Sequence, residues 1–402
     1  MSLMTSLKIQ PTQLRSVIAA ALPLVAAAAN GDRHVVGLPE THGNTARLLV
    51  DTEQFVPAVL KDIAAAQKQV NVTMFSWQDD GAGRTIGEAL KQKVKDGVEV
   101  NVLIDGLGSR QWPGSRYRKY IDELSDAGIN VKRNWPTSAA GRDAVAAIDH
   151  RKIFEIDGRI AYLGGMNLAA KYDKWHDLMV RIEGPAAAQA GAELAGRWSD
   201  LGGKLGESRA AVLAAGATAG AAAQGKAGVK LLGNSPRGEL AVTTEFFNMA
   251  RTARKRLWVL SPYIGNKAMV EALADAARRG VDVRVAVPGP NPWKNGKIAL
   301  KLTRAFYDDL VEAGVKVFEQ PQMSHGKLWL SDDTANISSV NLDRRSAMFS
   351  YEIGATINDA TFLKQVEQLF DRDFGRSRVV TAKETDQYRG MEILRKVLNL
   401  RV

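Results

Sequence analysis

Two segments of the chain have the same three types of side chain at the same spacing. In each segment, a histidine is followed two positions later by a lysine and seven positions later by an aspartate. The whole chain has 5 histidines, so chance is a poor explanation for two such matches. The first copy consists of His150, Lys152 and Asp157, and the second consists of His325, Lys327 and Asp332.

On an extended strand, side chains two positions apart lie on the same face, so the histidine and lysine of each copy converge on one target. Transfer of a phosphodiester requires a nucleophile, a proton for the leaving alkoxide and positive charge near the non-bridging oxygens. One neutral imidazole can attack phosphorus while a second, protonated imidazole acts as the acid. The lysines can stabilise the developing charge. The duplicated motif therefore predicts a phosphodiester-transfer enzyme.

Composition narrows the chemistry further. No set of metal ligands is evident, and we expect neither metal nor cofactor, because the lysines can take the role of divalent cations. The chain has no cysteine, which excludes disulfides, thiolate nucleophiles and thiolate-bound zinc. Basic residues outnumber acidic ones, and the net charge is +10. That charge favours a polyanionic partner, either an anionic membrane surface or a nucleic acid.

Each motif is followed by an asparagine, Asn167 or Asn341, that can donate hydrogen bonds to the phosphate oxygens. Gly164 and Gly165 precede the first asparagine and allow close approach of the backbone, whereas Ser338-Ser339 precede the second. The second motif also reaches its asparagine one residue sooner. We therefore expect the second loop to turn differently or to shift Asn341.

Internal repeats indicate the elements that must position these residues. KDGVEVNVLIDG around Gly97 matches RRGVDVRVAVPG around Gly280, and in both a helix ends at a glycine before a buried strand. Helical patterns alternate with short apolar strands in both halves, which is typical of α/β folds. We predict an α/β protein of two pseudo-symmetric lobes, each a mostly parallel sheet flanked by helices.

The length and composition fit two globular domains, with 402 residues of which 45% are hydrophobic and 24% charged. A segment poor in large apolar side chains separates the halves, and an amphipathic helical pattern follows Arg376. The expected divisions are an N-terminal helical segment at 1–44, a first lobe at 45–203, an Ala/Gly-rich linker at 204–228 and a second lobe with the C-terminal helix at 229–402.

The apolar stretch at 14–30 is shorter than the roughly 20 residues of a membrane-spanning helix, and it contains Pro23. Its basic start, apolar middle and small residues also match a secretory signal peptide. Two interpretations stay open. The stretch is either a helix that packs on the protein or on a membrane surface, or a signal peptide that is removed.

The motifs resemble the phospholipase D superfamily from about residue 45 onward. HRKIFEIDGRIAYLGGMNLA, WHDLMVRIEGPA, NLDRRS and SYEIGATI are similar to its bacterial cardiolipin synthase branch. The resemblance implies that both motifs meet in one active site at the lobe interface. It also implies that a phosphatidyl-histidine intermediate converts two phosphatidylglycerol molecules to cardiolipin and glycerol. By analogy with the family, His150 is the nucleophile, a choice that the sequence itself leaves open.

The family also places an acidic residue downstream of each motif to orient the histidine. Asp177 and Glu352 fit this position, each 27 residues after the histidine of its own half. We add them to the predicted catalytic residues together with Asp157 and Asp332, which are also compatible with a bracing role. Gly165 stands where the family often has serine, which removes one hydroxyl donor from the phosphate site.

Many cardiolipin synthases begin with paired transmembrane helices, and we expect none in this chain. The expected location is therefore peripheral, on the cytoplasmic side of a bacterial membrane, or the periplasm if 1–30 is a signal peptide. Two loops combine aromatic and basic residues that suit an anionic interface. The first contains Trp112, Arg116, Tyr117, Arg118, Lys119 and Tyr120, and the second contains Trp293, Lys294 and Lys297.

Three alternatives stay open. A phospholipase D that hydrolyses phospholipids would use the same intermediate with water as the acceptor. A nuclease of the same superfamily would use the same residues, and basic and aromatic loops also suit nucleic acid. A binding protein without catalysis is disfavoured because both histidine and lysine pairs are intact. Family nucleases often have one motif and dimerise, whereas this chain has both, so we expect a monomer.

Overall fold

The computed structural model describes residues 38–135, 147–203, 225–236, 238–289 and 296–385. These residues form one mixed, 15-stranded β-sheet with helices packed on it. The strands, in chain order, are β1 (Thr41–Val50), β2 (Gln69–Met74), β3 (Glu99–Asp105), β4 (Asn130–Asn134), β5 (Lys152–Ile156), β6 (Ile160–Gly164), β7 (Leu178–Glu183), β8 (Ala227–Asn234), β9 (Arg256–Leu260), β10 (Asp282–Pro288), β11 (Lys316–Gln320), β12 (Leu328–Ser331), β13 (Thr334–Ser338), β14 (Glu352–Asn358) and β15 (Arg378–Val379).

Several helices begin at residues whose side chains accept backbone N–H groups of the first turn. Ser115, Asn266 and Asp359 do so at three of these starts. The helices in the described ranges are α1 (Asp51–Ala65), α2 (Gly81–Lys95), α3 (Arg116–Asp126), α4 (Pro185–Asp200), α5 (Ala241–Thr252), α6 (Lys267–Arg278), α7 (Gly296–Arg304), α8 (Tyr307–Glu312), α9 (Arg344–Met348), α10 (Ala360–Arg376) and α11 (Ala382–Thr385).

The strand order is the same in both halves when it is read outward from the seam between β1 and β8. The first half continues as β7-β6-β5-β2-β3-β4, and the second continues as β14-β13-β12-β9-β10-β11 with β15 at the outer edge. At the seam β1 and β8 pair antiparallel, with Thr41 opposite Val229 and Asn44 opposite Ala227. The predicted arrangement of two pseudo-symmetric α/β lobes is therefore confirmed.

Among the named strands of the described ranges, parallel pairs occur between the three outer strands of each half, β2, β3 and β4 and their counterparts β9, β10 and β11. The other named strand pairs in the described ranges are antiparallel. The expected mostly parallel sheet is thus correct only where a helix connects successive strands. The motif strands are connected by short hairpins, and a short hairpin joins only antiparallel neighbours.

A hydrophobic cluster extends across the seam between the halves. It combines Leu163 and Val180 from the first half with Leu328, Ile337 and Ile353 from the second, all 0% exposed. The apolar faces of α4 and α10 also belong to this cluster. Because the halves share a core, burial of apolar surface holds them together at the interface where the motifs lie.

Several expected features lie outside the described residues. They are most of the N-terminal segment at 1–44, most of the linker at 204–228, the amphipathic pattern beyond Thr385, and the side chains of Trp293, Lys294 and Lys297. The domain divisions stay predictions. Within the described ranges, no helix combines the length and apolar character that crossing a bilayer requires.

Candidate active site

Each motif histidine lies just before the strand that contains the rest of its motif. His150 precedes β5 and His325 precedes β12, and these strands pair with β2 and β9, the innermost of the parallel strands. The histidines are 6% and 5% exposed, and both Lys152 and Lys327 are fully buried. The sheet therefore holds both motifs in equivalent, nearly solvent-free positions.

Each histidine contacts the acidic residue of the opposite half. His150 Nδ1 lies 3.0 Å and 3.1 Å from the two carboxylate oxygens of Glu352. His325 Nδ1 lies 2.6 Å from Asp177 Oδ2. The motifs and acids thus meet at the interface between the halves. The expectation that each acid orients the histidine of its own half is wrong.

Backbone contacts across the interface explain this crossing. The N–H of His150 donates to the carbonyl oxygen of Tyr351 at 2.9 Å. The N–H of Tyr351 donates to the carbonyl oxygen of Ile148 at 2.9 Å. The N–H of His325 donates to the carbonyl oxygen of His176 at 2.6 Å. Tyr351 and His176 each immediately precede an acid. The backbone at each histidine therefore pairs with the residue that precedes the acid of the other half. This pairing brings that acid to the imidazole.

Burial lowers the pKa of both histidines. The positive charges of Lys152 and Lys327 lower the pKa of His150 further, to well below its usual value. Burial and Lys327 lower the pKa of His325 to about 4, and Asp177 opposes this shift. Both imidazoles are therefore neutral without an anionic substrate. A phosphodiester bound between the lysines would offset their charge and favour protonation of a histidine.

The lysines lie beside the histidines of their own motifs. Lys152 Nζ donates to the carbonyl oxygen of His150 at 2.5 Å. Lys327 Nζ donates to the carbonyl oxygen of His325 and lies 3.0 Å from both ring nitrogens. Burial lowers the pKa of Lys152 to about 7 and that of Lys327 to about 8, and the two acids oppose these shifts. Two buried cationic groups beside two imidazoles suit the binding of an anion.

The two orienting acids differ in their ionisation. Burial raises the pKa of Asp177, but His325 and Lys327 outweigh this effect, so the net pKa is lowered. Burial raises the pKa of Glu352 to about 8, although Lys152 opposes the shift. Asp177 is therefore an anion at neutral pH, whereas Glu352 is protonated far more readily. The half-sites are equivalent in geometry and different in charge.

Asn167 and Asn341 occupy equivalent positions, three residues after β6 and after β13. Both asparagines are 8% exposed. Their side-chain oxygens are buried and accept no hydrogen bond from the described residues, and the Asn341 side chain bonds to Asp343. Buried amides normally have partners, so the unsatisfied amide oxygen in each half is an acceptor that a hydroxyl group of a bound ligand can satisfy.

The residue that the second copy lacks falls in the hairpin turn, not in the loop before Asn341. In the first hairpin Ile156 pairs with Ile160, which leaves three residues in the turn. In the second, Ser331 pairs with Thr334, which leaves two. The strands that follow keep the same register in both halves. Of the two expected outcomes, the different turn is therefore confirmed and the shift of Asn341 is wrong.

Gly165 and Ser339 are equivalent residues, and each lies against an orienting acid. A Cβ atom on Gly165 would lie 2.2 Å from Asp177 Oδ1. The Ser339 hydroxyl donates to Glu352 at 2.5 Å and accepts from the N–H of Ile353 at 3.0 Å. The serine hydroxyl at this position bonds the acid, so the expectation that Gly165 removes a donor from the phosphate site is wrong.

Asp157 and Asp332 lie at the ends of β5 and β12 that are remote from the histidines. The Asp157 carboxylate accepts the backbone N–H groups of residues 67–69, and the Asp332 carboxylate accepts those of residues 254–256. Both aspartates have positive φ, 54° and 46°. They fix the turns that lead into β2 and β9. The prediction that these two aspartates are catalytic is therefore wrong, and their role is to brace the turns.

Three side chains near the histidines were not predicted from the sequence. Phe75 lies edge-on to His150 with ring centroids 4.8 Å apart, and Trp175 lies 5.1 Å from the His325 ring. His176 adjoins an orienting acid and is 2% exposed. Only His176 had a usable signal in the sequence, because it is one of 5 histidines and precedes a predicted acid.

The loop that contains Trp112 follows β3. Trp112 is 47% exposed, and the guanidinium groups of Arg110 and Arg116 lie over the ring of the half-buried Tyr117. Tyr120 is 2% exposed and its hydroxyl donates to a backbone carbonyl. Its expected membership of a membrane-facing group is therefore wrong, whereas Trp112 is available to a partner.

Comparison with known proteins links this arrangement to lipid metabolism. Residues 59–198 and 246–374, each with one motif, match the family described as "Cardiolipin synthase, PLD-like domain", in which PLD denotes phospholipase D. Cardiolipin synthase A of Pseudomonas entomophila (strain L48) is 33% identical over 385 residues, which cover 90% of this chain and 76% of that protein. Cardiolipin synthase A of Pseudomonas aeruginosa (strain LESB58) is 29% identical over 377 residues, 89% of this chain and 72% of that protein.

Solved structures share the fold at low sequence identity. Phosphatidylserine synthase of Haemophilus influenzae Rd KW20 has a TM-score of 0.66 and 16% identity, and the match covers 94% of this chain and 99% of the other. Polyphosphate kinase from Porphyromonas gingivalis has a TM-score of 0.56 and 12% identity, with 88% and 53% covered. These likenesses concern the fold alone.

Proposed function

The chain belongs to the cardiolipin synthase, phospholipase D-like family, and from that membership we propose that it makes cardiolipin and glycerol from two molecules of phosphatidylglycerol. The observation that supports this most directly is the pair of crossed histidine and carboxylate contacts, with a buried lysine beside each histidine. Such a site has both imidazoles that a two-step phosphatidyl transfer needs.

In the first step, Nε2 of the neutral His150 attacks the phosphorus of one phosphatidylglycerol. The bond between phosphorus and the glycerol oxygen breaks, and His325 donates a proton to the departing alkoxide. The ionised form of Glu352 accepts the hydrogen bond from Nδ1–H of His150 and so leaves the Nε2 lone pair free for the attack. Asp177 favours the protonated form of His325, which supports this histidine as the acid.

In the second step, His325 is neutral and accepts the proton of a headgroup hydroxyl from a second phosphatidylglycerol. The hydroxyl oxygen attacks phosphorus, the bond between phosphorus and nitrogen breaks, and His150 is restored. Lys152 and Lys327 stabilise the charge on the non-bridging oxygens, and the two buried asparagines donate to the same oxygens. With this charge supplied by lysines, we propose that the transfer proceeds without a metal ion.

The test uses purified protein and phosphatidylglycerol vesicles in the presence of EDTA. We expect cardiolipin and glycerol in equal amounts by mass spectrometry, and no product from His150→Ala or His325→Ala. His42→Ala is the histidine control, because the His42 side chain is 78% exposed, and it should keep full activity. Phosphatidic acid in place of cardiolipin would indicate hydrolysis. Cleavage of single-stranded DNA without lipid product would indicate a nuclease.

The choice of nucleophile is tested by trapping the intermediate. A phosphatidyl ester of p-nitrophenol has a leaving group that needs no acid, so the first step should proceed in His325→Ala while the second step is slow. We expect the phosphatidyl adduct on the peptide that contains His150. An adduct on His325 in the reciprocal His150→Ala experiment, with none in the first, would reverse the assignment.

We also propose that the enzyme acts as a peripheral monomer on an anionic bacterial membrane, on the cytoplasmic side. The loop with Trp112 packs on Phe75, because a Cβ atom on Gly108 would lie 2.5 Å from that ring. Phe75 in turn contacts His150, so Trp112 belongs to a loop that adjoins the site. An exposed aromatic ring among basic residues suits a surface of anionic headgroups.

Vesicle sedimentation tests this partner. The protein should bind vesicles of phosphatidylglycerol more tightly than vesicles of phosphatidylcholine, and Trp112→Ser with Arg116→Glu should weaken the binding. Arg278→Glu is the control, because Arg278 is 56% exposed on α6 of the other half. Loss of binding in the control alone, or displacement by single-stranded DNA at low concentration, would contradict the proposal.

A further inference from the structure

His176 is a buried residue that contacts a carboxylate at each ring nitrogen. Nδ1 lies 2.9 Å from Asp51 Oδ1, and Nε2 lies 2.8 Å from Asp373 Oδ2. Carboxylates only accept hydrogen bonds when ionised, so both nitrogens donate and the ring is an imidazolium. Burial lowers the pKa of His176, but the two carboxylates outweigh it and raise the pKa to about 9. The catalytic steps above do not use this group.

Asp51 connects this imidazolium to an orienting acid. The same Asp51 Oδ1 that contacts His176 also accepts the backbone N–H of Asp177 at 2.9 Å. The N–H of Asp51 donates to the carbonyl oxygen of Asp177 at 2.9 Å. Asp51 has a positive φ of 59°, a conformation that non-glycine residues adopt at a cost. Asp51 and His176 together therefore fix the backbone at Asp177.

That backbone also contacts the catalytic histidine of the other half. The carbonyl oxygen of His176 accepts the N–H of His325 at 2.6 Å. One residue later, Asp177 Oδ2 lies 2.6 Å from His325 Nδ1. The main chain and the imidazole of His325 are thus both held by the dipeptide that includes His176.

Asp373 anchors the imidazolium from the second half. It lies on α10, is 0% exposed, and its other carboxylate oxygen is 2.9 Å from Arg376. His176 therefore joins a loop of the first half to a helix of the second half directly behind the contact between Asp177 and His325.

The equivalent residue behind the other histidine has different chemistry. Tyr351 precedes Glu352 as His176 precedes Asp177, and the guanidinium groups of Arg197 and Arg151 lie 4.2 Å and 5.6 Å from its ring centroid. The two half-sites thus differ behind their acids, with an imidazolium between carboxylates in one and an aromatic ring beside guanidinium groups in the other.

We propose that His176 is a positioning residue, whose imidazolium fixes Asp51 and the backbone of Asp177 so that the Asp177 carboxylate meets Nδ1 of His325. The inference rests on the proposed role of His325 as the acid of the transfer. Without this charge, we expect the Asp177 carboxylate to lose its fixed orientation, so that His325 is protonated less readily and transfers its proton more slowly.

The test compares Asp373→Asn and His176→Gln with Asp371→Asn, an exposed change on the same helix. We expect kcat for cardiolipin formation to fall about 10- to 100-fold in the first two variants, with KM nearly unchanged and Asp371→Asn like the wild type. Combining Asp373→Asn with Asp177→Asn should lower kcat no further than Asp177→Asn alone, because both changes act through the same carboxylate.

A second readout follows the imidazoles directly. With 5 histidines in the chain, nitrogen NMR of ¹⁵N-histidine-labelled protein can resolve His325, assigned by its loss in His325→Ala. The Nδ1 signal of His325 should move in Asp373→Asn, both free and with inorganic sulfate bound. This readout needs no lipid turnover, so it remains decisive if the wild type makes no cardiolipin. Lower thermal stability with unchanged kcat and an unchanged His325 signal would overturn the proposal.

Discussion

The reacting side chains lie where few groups other than a ligand can stabilise their charge. Lys152 and Lys327 are fully buried, and their pKa values are lowered to about 7 and about 8. Burial removes the water that would stabilise the charged lysines, and an anion bound between them would stabilise this charge instead. Proton binding by the site and anion binding by the site are therefore coupled.

This coupling predicts how sulfate inhibition depends on pH. Sulfate keeps its charge near neutrality, and it binds the protonated lysines, which lose their protons as the pH rises through about 7 and then about 8. The inhibition constant should therefore increase about tenfold or more between roughly pH 6.5 and 8.5. In Lys327→Arg, whose guanidinium keeps its proton, the increase should be smaller. An inhibition constant that does not change with pH would contradict the coupling.

A second prediction concerns the space beside Asp177. Gly165→Ala would place a Cβ atom 2.2 Å from Asp177 Oδ1, so the carboxylate must move away from His325. We expect kcat to fall about 10- to 100-fold with the fold retained. Gly375→Ala is the matched control, because no atom lies within 4 Å of its added Cβ. Steady-state kinetics with circular dichroism measures both, and equal activity of the two variants would refute the steric argument.

The sequence identified the reacting residues because duplication makes them visible, but it could not tell which acid contacts which histidine. Asp177 and Glu352 follow the motif by the same 27 positions, and that equality holds for crossed and uncrossed pairing alike. The contacts actually join residues 148 and 202 positions apart. Contacts at such separations depend on how the halves pack, and spacing within one half cannot predict them.

The elements that present the site are two equivalent hairpins, β5–β6 and β12–β13. Their turns differ by one residue, yet the strands that follow share one register, so the difference stays at the end of the sheet remote from the histidines. The sequence showed the shorter spacing but not its location. It also suggested too much parallel pairing, because short buried strands have similar apolar runs in parallel and antiparallel sheets.

The braces at these turns give a prediction at the scale of the element. In Asp157→Ala, the N–H groups of residues 67–69 lose their acceptor. Position 157 has a φ of 54°, which alanine adopts less readily than aspartate. The free energy of unfolding should fall by about 1–3 kcal/mol. The turn lies about 20 Å along the strand from His150, so kcat of the folded enzyme should not change.

Urea denaturation and kinetics below the unfolding transition measure the two quantities separately. Asp157→Asn should be milder than Asp157→Ala, since asparagine tolerates positive φ and keeps one acceptor. A large loss of kcat with unchanged stability would return Asp157 to the catalytic residues.

At the scale of the whole molecule, the two repeated halves are joined at the seam between β1 and β8. The core continues across β1 and β8, with apolar residues of both halves in one cluster. Each half also supplies the acid that the other half's histidine requires. The sequence predicted the repeat and its symmetry from matching segments, but the shared core required the three-dimensional arrangement.

Double-mutant cycles on stability test the crossed pairing. His325→Ala and Asp177→Asn should be coupled by about 0.5–3 kcal/mol, as should His150→Ala and Glu352→Gln, because each pair is in direct contact. The within-half combinations, His150 with Asp177 and His325 with Glu352, are the controls and should be close to additive. Coupling in the controls and not in the crossed pairs would restore the uncrossed arrangement.

The crossed contacts also constrain how genes for such proteins can recombine. A crossover between the halves, for example within 204–224, joins the first half of one parent to the second half of another. Both histidine and acid pairs, 150 with 352 and 177 with 325, then combine residues of different ancestry at once. A crossover before 150 or after 352 leaves both pairs intact. In a shuffled library, breakpoints in functional clones should therefore be depleted between these positions, including in the segment between the halves.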